Sequence, residues 1–205
     1  MKKLIPAIIL CFTIISIISC ESSSRKLPIL GEREFINGDS VYHTIPDFSF
    51  VNQDNQTITN KNYEGKIYVA DFFFTTCPTI CPIMKKQMLR VYEKFKENPK
   101  VGILSHSIDP RHDSVQVLKE YAARLGVKSK MWNFVTGDKA KIYEIGEKSY
   151  YVTAGEDSTA AGGIIHSGAF ILVDTKRRVR GVYDGTKETD VTKLLKDMDV
   201  LLNEK

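Results

Sequence analysis

Two stretches of this chain, Lys66 to Phe74 and Val101 to Ile108, are nearly continuous runs of β-branched, aromatic and aliphatic residues. Runs of this kind read as strands buried on both faces. Between them Met84, Met88, Val91 and Phe95 recur at helical spacing until Asn98-Pro99, which predicts a helix laid against the sheet. Upstream, the weak alternation of Asp47 to Val51, the turn-rich Asn52 to Gln56 and then Thr57-Ile58 predict a small hairpin. Downstream, Asp113 with Gln116 three residues on predicts the N-cap of a second helix, lined by Val117, Leu118, Tyr121 and Leu125 and stopped at Gly126. Trp132 to Val135 reads as a short strand, Asp138 to Lys148 as a third helix, and Tyr150 to Thr153 as a short extended piece. A loop rich in glycine and small residues, Ala154 to Gly163, precedes His166. Strands at Ala169 to Val173 and Val179 to Tyr183, joined by a turn at Asp174 to Arg178, lead into a closing helix from near Thr189 that carries Val191, Leu194, Leu195, Met198 and Leu202.

Strands that first alternate with helices and then pair as a hairpin before a last helix predict parallel strands with an antiparallel edge. The expected fold is α/β and thioredoxin-like: a central mixed sheet flanked by helices, with an N-terminal hairpin extension.

The first residues change the picture of where this domain works. Met1-Lys2-Lys3, an apolar run from Leu4 to Ile18 and then Ser19-Cys20 form an export signal. Ile17-Ile18-Ser19-Cys20 also resembles the lipobox of bacterial lipoproteins, in which the cysteine is acylated and becomes the first mature residue. The expected organisation is a signal peptide over 1–19, a lipid-anchored tether over 20–40 and one domain over 41–205. An uncleaved signal anchor is the alternative, but the run is shorter than the roughly 20 apolar residues of a spanning helix. Either way the domain is expected to be exported and membrane-anchored, facing the periplasm or the cell exterior.

The formal charge of +4 loses two units with Lys2 and Lys3. No basic run or aromatic-interleaved patch remains to recruit nucleic acid. No internal repeat is present.

Once the leader is set aside, Cys77 and Cys81 are the only thiols, placed where a strand gives way to a helix. A helix start favours the thiolate form. Residues i and i+4 lie ~6 Å apart along a helix axis, so the pair can bridge or point at one ion. A merely stabilising disulfide is disfavoured, because so short a loop removes little unfolded-state entropy. His43 and His112 read as ordinary surface or satisfied residues, and His106, inside an apolar strand, as core. His166 stands apart: it follows the glycine-rich loop and precedes a core strand, where a thioredoxin-like fold returns a loop over its dithiol. Two thiolates and an imidazole suit copper(I). Met84 and Met88, at helical spacing with Val91 and Phe95, read as core rather than as extra ligands. Thioredoxins hold a proline against their cysteines just before the later hairpin strand, whereas this chain has no proline after Pro110. Its cysteines are also separated by three residues rather than two.

The segments Phe74-Thr75-Thr76-Cys77-Pro78-Thr79-Ile80-Cys81-Pro82, Ser107-Ile108-Asp109-Pro110-Arg111-His112-Asp113-Ser114, Phe134-Val135-Thr136-Gly137, and His166 before Phe170-Ile171-Leu172-Val173-Asp174 together resemble the Sco/SenC family, from about Ile45 to the C-terminus. The resemblance implies a thioredoxin-like fold, a copper ion, Cu(I) or Cu(II), held by Cys77, Cys81 and His166, and a role in assembling the binuclear copper centre of cytochrome c oxidase. The implied partner is the copper-bearing oxidase subunit or another cuproprotein. Many members have aspartate where Thr79 stands and glutamate where His112 stands, so this chain lacks an acid beside its thiols yet keeps the ligand set.

Other functions use the same residues. A thiol-disulfide reductase acting on cuproprotein cysteines would attack with Cys77 and resolve with Cys81. A peroxiredoxin-like peroxidase fares worse, since no proline-led peroxidatic loop precedes Cys77 and no distant resolving cysteine survives maturation. A copper or redox sensor would need no more than the same thiols.

Overall fold

Lys66 to Phe74 folds as the strand its composition predicts, with Ile67–Phe73 buried at every position. The computed structural model describes residues 25–128, 130–156 and 164–204, with 154–156 and 164–166 described by backbone alone. Cys20 and the leader lie outside the described residues. In chain order the elements are β1 (Arg33–Ile36), β2 (Asp39–Tyr42), β3 (Ser49–Asn52), β4 (Thr57–Thr59), a 3-10 turn (Asn60–Tyr63), β5 (Ile67–Phe73), α1 (Ile80–Phe95), β6 (Val101–Ser107) and α2 (Val115–Leu125). They continue with β7 (Trp132–Thr136), α3 (Lys139–Lys148), β8 (Ala154–Glu156), β9 (Ile164–His166), β10 (Ala169–Val173), β11 (Val179–Asp184) and α4 (Glu188–Asn203).

One sheet carries the domain, in the order β11-β10-β5-β6-β7-β3-β4. β5, β6 and β7 are parallel, whereas β10 and β3 join them antiparallel. Parallel strands need crossover helices, and α1 and α2 supply them. The result is the mixed, helix-flanked sheet expected, with the β3–β4 hairpin at one edge. Because β5, β6 and β7 share a direction, their C-terminal ends form one pole. Cys77 follows β5 directly there, and the β10–β11 turn lies at the other pole, since Val173 pairs with Tyr68 near the start of β5.

Three local expectations are corrected. The N-cap of α2 is Ser114, whose side chain accepts from the Val117 amide, and not Asp113. Asp113 is fully buried and accepts from Thr75 and Ser107 instead. Tyr150 to Thr153 is not a strand: Tyr151 adopts a left-handed φ of 57°, and the Val152 amide bonds back to Gly146 in α3 at 3.0 Å. The extended backbone begins one residue later. β8 pairs with β9, Ala154 opposite His166, inside and just after the stretch read as a loop.

Residues 27–30, expected as tether, are docked, and 33–42 form the β1–β2 hairpin. Leu27 is 5% exposed. Its carbonyl accepts from Arg180 at 2.6 Å, and the Leu30 amide bonds Val179 at 2.8 Å. No helix among the described residues is long and apolar enough to cross a membrane.

Candidate functional site

The turn Phe74 to Thr79 carries the chain from the end of β5 into α1, and two anchors fix it. The Cys77 amide bonds the Phe74 carbonyl at 3.3 Å. The Asp113 carboxylate, reaching from the β6–α2 loop, accepts from the Thr75 amide at 3.1 Å and from the Thr75 and Ser107 hydroxyls. Pro82 sits in the first turn of α1, where an amide has no intrahelical partner to lose. α1 therefore starts immediately beneath the cysteines.

Both cysteines are buried and neither forms a disulfide. Their environments differ. Burial pushes Cys77 up, but the backbone amides of Thr79 and Cys81, then the Cys81 thiol and the Thr79 hydroxyl, donate toward its sulfur and outweigh burial, holding this thiol below its ordinary range. The Thr79 hydroxyl lies 3.8 Å from the Cys77 sulfur. Both amides belong to the start of α1, where backbone N–H groups have no intrahelical carbonyl and stabilise an anion. Cys81 is pushed up to about 12, chiefly by burial, with the Phe74 backbone and Lys85 opposing and the bond to Cys77 adding to the rise. The Cys77 thiol thus gives up its proton more readily than the Cys81 thiol.

One turn along α1, Lys85 is buried and pairs with Asp71 of β5 at 2.6 Å. Ser105 donates to the same carboxylate, and Trp132 Nε1 donates to Ser105 at 2.9 Å. The Lys85 ammonium also lies 4.1 Å from the centre of the Phe73 ring, a cation over an aromatic face.

His166 belongs to β9, and its side chain lies outside the described residues. Its backbone neighbourhood is fixed: the Ser167 amide bonds Thr153 at 2.9 Å, and the Gly168 carbonyl accepts from Gly185 at 2.7 Å. A Cβ on Gly168 would stand 3.9 Å from Ile80 Cδ1 and 3.1 Å from Thr186 Cγ2. The segment two residues beyond His166 therefore passes against the residue preceding Cys81. A larger residue at 168 would meet Thr186, so the close approach depends on glycine.

The other histidines fall as expected. His43 Nε2 bonds the Ser149 carbonyl at 3.1 Å, and exposed His112 bonds Asp109 at 2.5 Å. His106 is fully buried and stacked on Phe72 at 4.7 Å. Met84 and Met88 are fully buried core. Residue types alone did not disclose the roles of Thr79, Asp113, Lys85 and Gly168. Lys85 had one available signal, a lysine on the apolar Met84–Met88 face one turn after Cys81. Asp113 and Gly168 had none, because their partners lie across loops, and Thr79, two residues from the Cys77 sulfur it donates to, carries no signal in its residue type.

The SCO1/SenC family model matches residues 37–202. Among solved structures, a SCO1/SenC family lipoprotein from Bacillus anthracis is 30% identical, with a TM-score of 0.71 over 78% of this chain and 95% of that one. BsSco, described as carrying a disulfide switch and as a member of the Sco family of cytochrome c oxidase assembly proteins, is 32% identical, with a TM-score of 0.69 over 80% of this chain and 95% of that one. Arabidopsis thaliana ScoI, solved with copper bound, is 26% identical, with a TM-score of 0.64 over 78% of this chain and 98% of that one. With its strand-to-helix dithiol and with the family model spanning residues 37–202, the chain belongs to the SCO1/SenC family.

Proposed function

We propose that this protein is a membrane-tethered copper carrier that holds a copper ion through Cys77, Cys81 and His166 and passes it to the binuclear copper centre of cytochrome c oxidase. The single observation that carries the reading is the unequal, hydrogen-bonded thiol pair at the start of α1. Two adjacent sulfurs, one of them more readily deprotonated than the other, fit a soft cation, whose binding displaces thiol protons. The approach of Gly168 to Ile80 supports the third ligand, because it holds the backbone after His166 against the dithiol turn. A relative solved with copper and another named for oxidase assembly support the cargo and the recipient. Acylation at Cys20 would tether the carrier outside the cytoplasm, in line with the relative described as a lipoprotein.

Copper titration followed by absorption and X-ray absorption tests this. The wild-type chain is expected to bind one equivalent with sulfur and nitrogen donors. Cys77→Ala and Cys81→Ala should abolish that binding, and His166→Ala should remove the nitrogen donor and weaken it. Unchanged binding by all three variants would refute the ligand set.

The proton asymmetry also favours a second reading, reduction of a partner's disulfide. The Cys77 thiolate attacks one partner sulfur and expels the other as thiolate. Cys81, once deprotonated, then attacks the Cys77 sulfur, releasing the reduced partner and leaving a Cys77–Cys81 disulfide. A measured dithiol potential too oxidising to reduce an oxidase-subunit peptide would remove this reading.

A further inference from the structure

The β1–β2 hairpin forms a two-stranded sheet of its own, closed by a tight turn at Asn37 and Gly38 with φ of 54° and 89°. That turn suits a two-residue hairpin. Isolated two-stranded hairpins are marginal in water, yet this one shows its apolar side chains to solvent: Phe35 is 70% exposed, Ile36 48% and Val41 46%. The Arg33 guanidinium caps one face of Phe35, 4.6 Å from the ring centre.

Its base lies at the pole away from the cysteines. The His43 amide bonds the Glu32 carbonyl at 3.0 Å and the His43 ring bonds Ser149, the C-cap of α3. The Ile45 amide bonds Arg177 in the β10–β11 turn at 2.8 Å. The chain upstream docks at the same pole, where Arg180 and Glu204 hold Leu27. Upstream of that point Arg25 pairs with Asp197 of α4 at 3.1 Å. Cys20 lies five positions before Arg25, and so short a length spans at most about 18 Å fully extended. A lipid on Cys20 therefore brings a bilayer close to this flank and pole.

We infer that the β1–β2 hairpin is a membrane-contact element, inserting Phe35 and Ile36 into the headgroup and upper acyl region of the bilayer that holds Cys20, so that the dithiol pole faces the aqueous compartment. The inference rests on the Cys20 anchor of the proposed function. Moving the Phe35 and Ile36 side chains from water into an apolar layer is favourable, so the hairpin adds to the hold of the lipid. The charges of exposed Arg25, Lys26 and Lys176 are offset by those of exposed Glu32, Glu34 and Asp39, so apolar insertion rather than charge supplies the attraction.

The test uses the full chain purified with its lipid and reconstituted on phosphatidylcholine vesicles, with and without phosphatidylglycerol. Phe35→Trp, at an exposed position, reports contact through quenching by acyl-chain-brominated lipid, with the wild type correcting for buried Trp132. Ile83→Trp, exposed beside Cys81, reports the opposite pole. The expected result is blue-shifted emission quenched by brominated lipid for F35W and none for I83W. Unquenched F35W on chains that still float with vesicles overturns the hairpin contact while leaving the anchor intact. F35W emission that shifts only with protein concentration overturns it in favour of self-association. Mass measurement of the N-terminal peptide judges Cys20 acylation separately.

Discussion

Burial alone raises a thiol, and at Cys81 it prevails, whereas at Cys77 the donors of the α1 start reverse it. Alkylation by iodoacetamide near neutral pH is therefore expected to label Cys77 well before Cys81, read by peptide mass mapping; labelling in the reverse order would contradict the electrostatics. His106 shows the opposite case, an ionisable group whose charged form burial disfavours. Both ring nitrogens lack a hydrogen-bond partner among the described residues. Burial lowers its pKa to about 4, with Asp71 only partly opposing. Because the unfolded chain takes up this proton near pH 6.5 and the folded chain does not, stability falls as pH drops from about 6.5 to 4, by roughly 3 kcal/mol across the window. His106→Phe keeps the stack on Phe72 and removes the orphan nitrogens, so it should flatten this acid limb in denaturant titrations at several pH values without loss at pH 7.

At the scale of elements, the same few residues both build α1 and α2 and hold the site. Removing the α2 cap with Ser114→Ala should cost about 1 kcal/mol in chemical denaturation and leave thiol reactivity unchanged. Asp113→Ala should instead release the Thr75 turn and alter the Cys77 alkylation rate, since that carboxylate ties the cysteine turn to the β6–α2 loop. In α1, Lys85→Met strands the Asp71 carboxylate in the core and is expected to cost about 3–5 kcal/mol. The double change Asp71→Leu with Lys85→Met should recover most of that loss, because a buried pair replaced whole by apolar side chains is often neutral. The hydrophobic spacing located α1 and its Met84–Met88 face. It did not show that Lys85 lies on that face with its charge turned inward, since a lysine in a helix is ordinarily solvated.

For the whole molecule, the N-terminal strap acts as part of the core rather than as a lead. Arg180 is 3% exposed and bonds Leu27, Pro28, Asp174 and Glu204 together. Deleting residues up to Leu30 removes the buried Leu27, a loss of about 1.5–3 kcal/mol, and unsatisfies Arg180 as well. For a chain of this size the melting temperature should fall by roughly 5–10 °C, measured by differential scanning calorimetry. A shift within a degree would show the strap to be dispensable. The stretch from Glu21 to about Gly38 looked like a tether because it lacks periodicity, and a strap that docks through backbone carbonyls and one leucine carries none to read.

The sequence by itself determined the seven strands of the main sheet, helices α1 to α4, their order, the buried strand leading into a dithiol, and the core histidine, because periodicity and composition encode which face of a local element avoids water. It also located the cysteines at the strand-to-helix junction. Only the tertiary structure decided that Asp113 serves Thr75 rather than the α2 cap, that the segment after His166 runs against Ile80, that Lys85 and Asp71 form a pair, and that the chain before β1 packs on the far pole. These are contacts between residues distant in sequence. Their energies depend on distances that exist only once the sheet has assembled, so no local pattern could carry them.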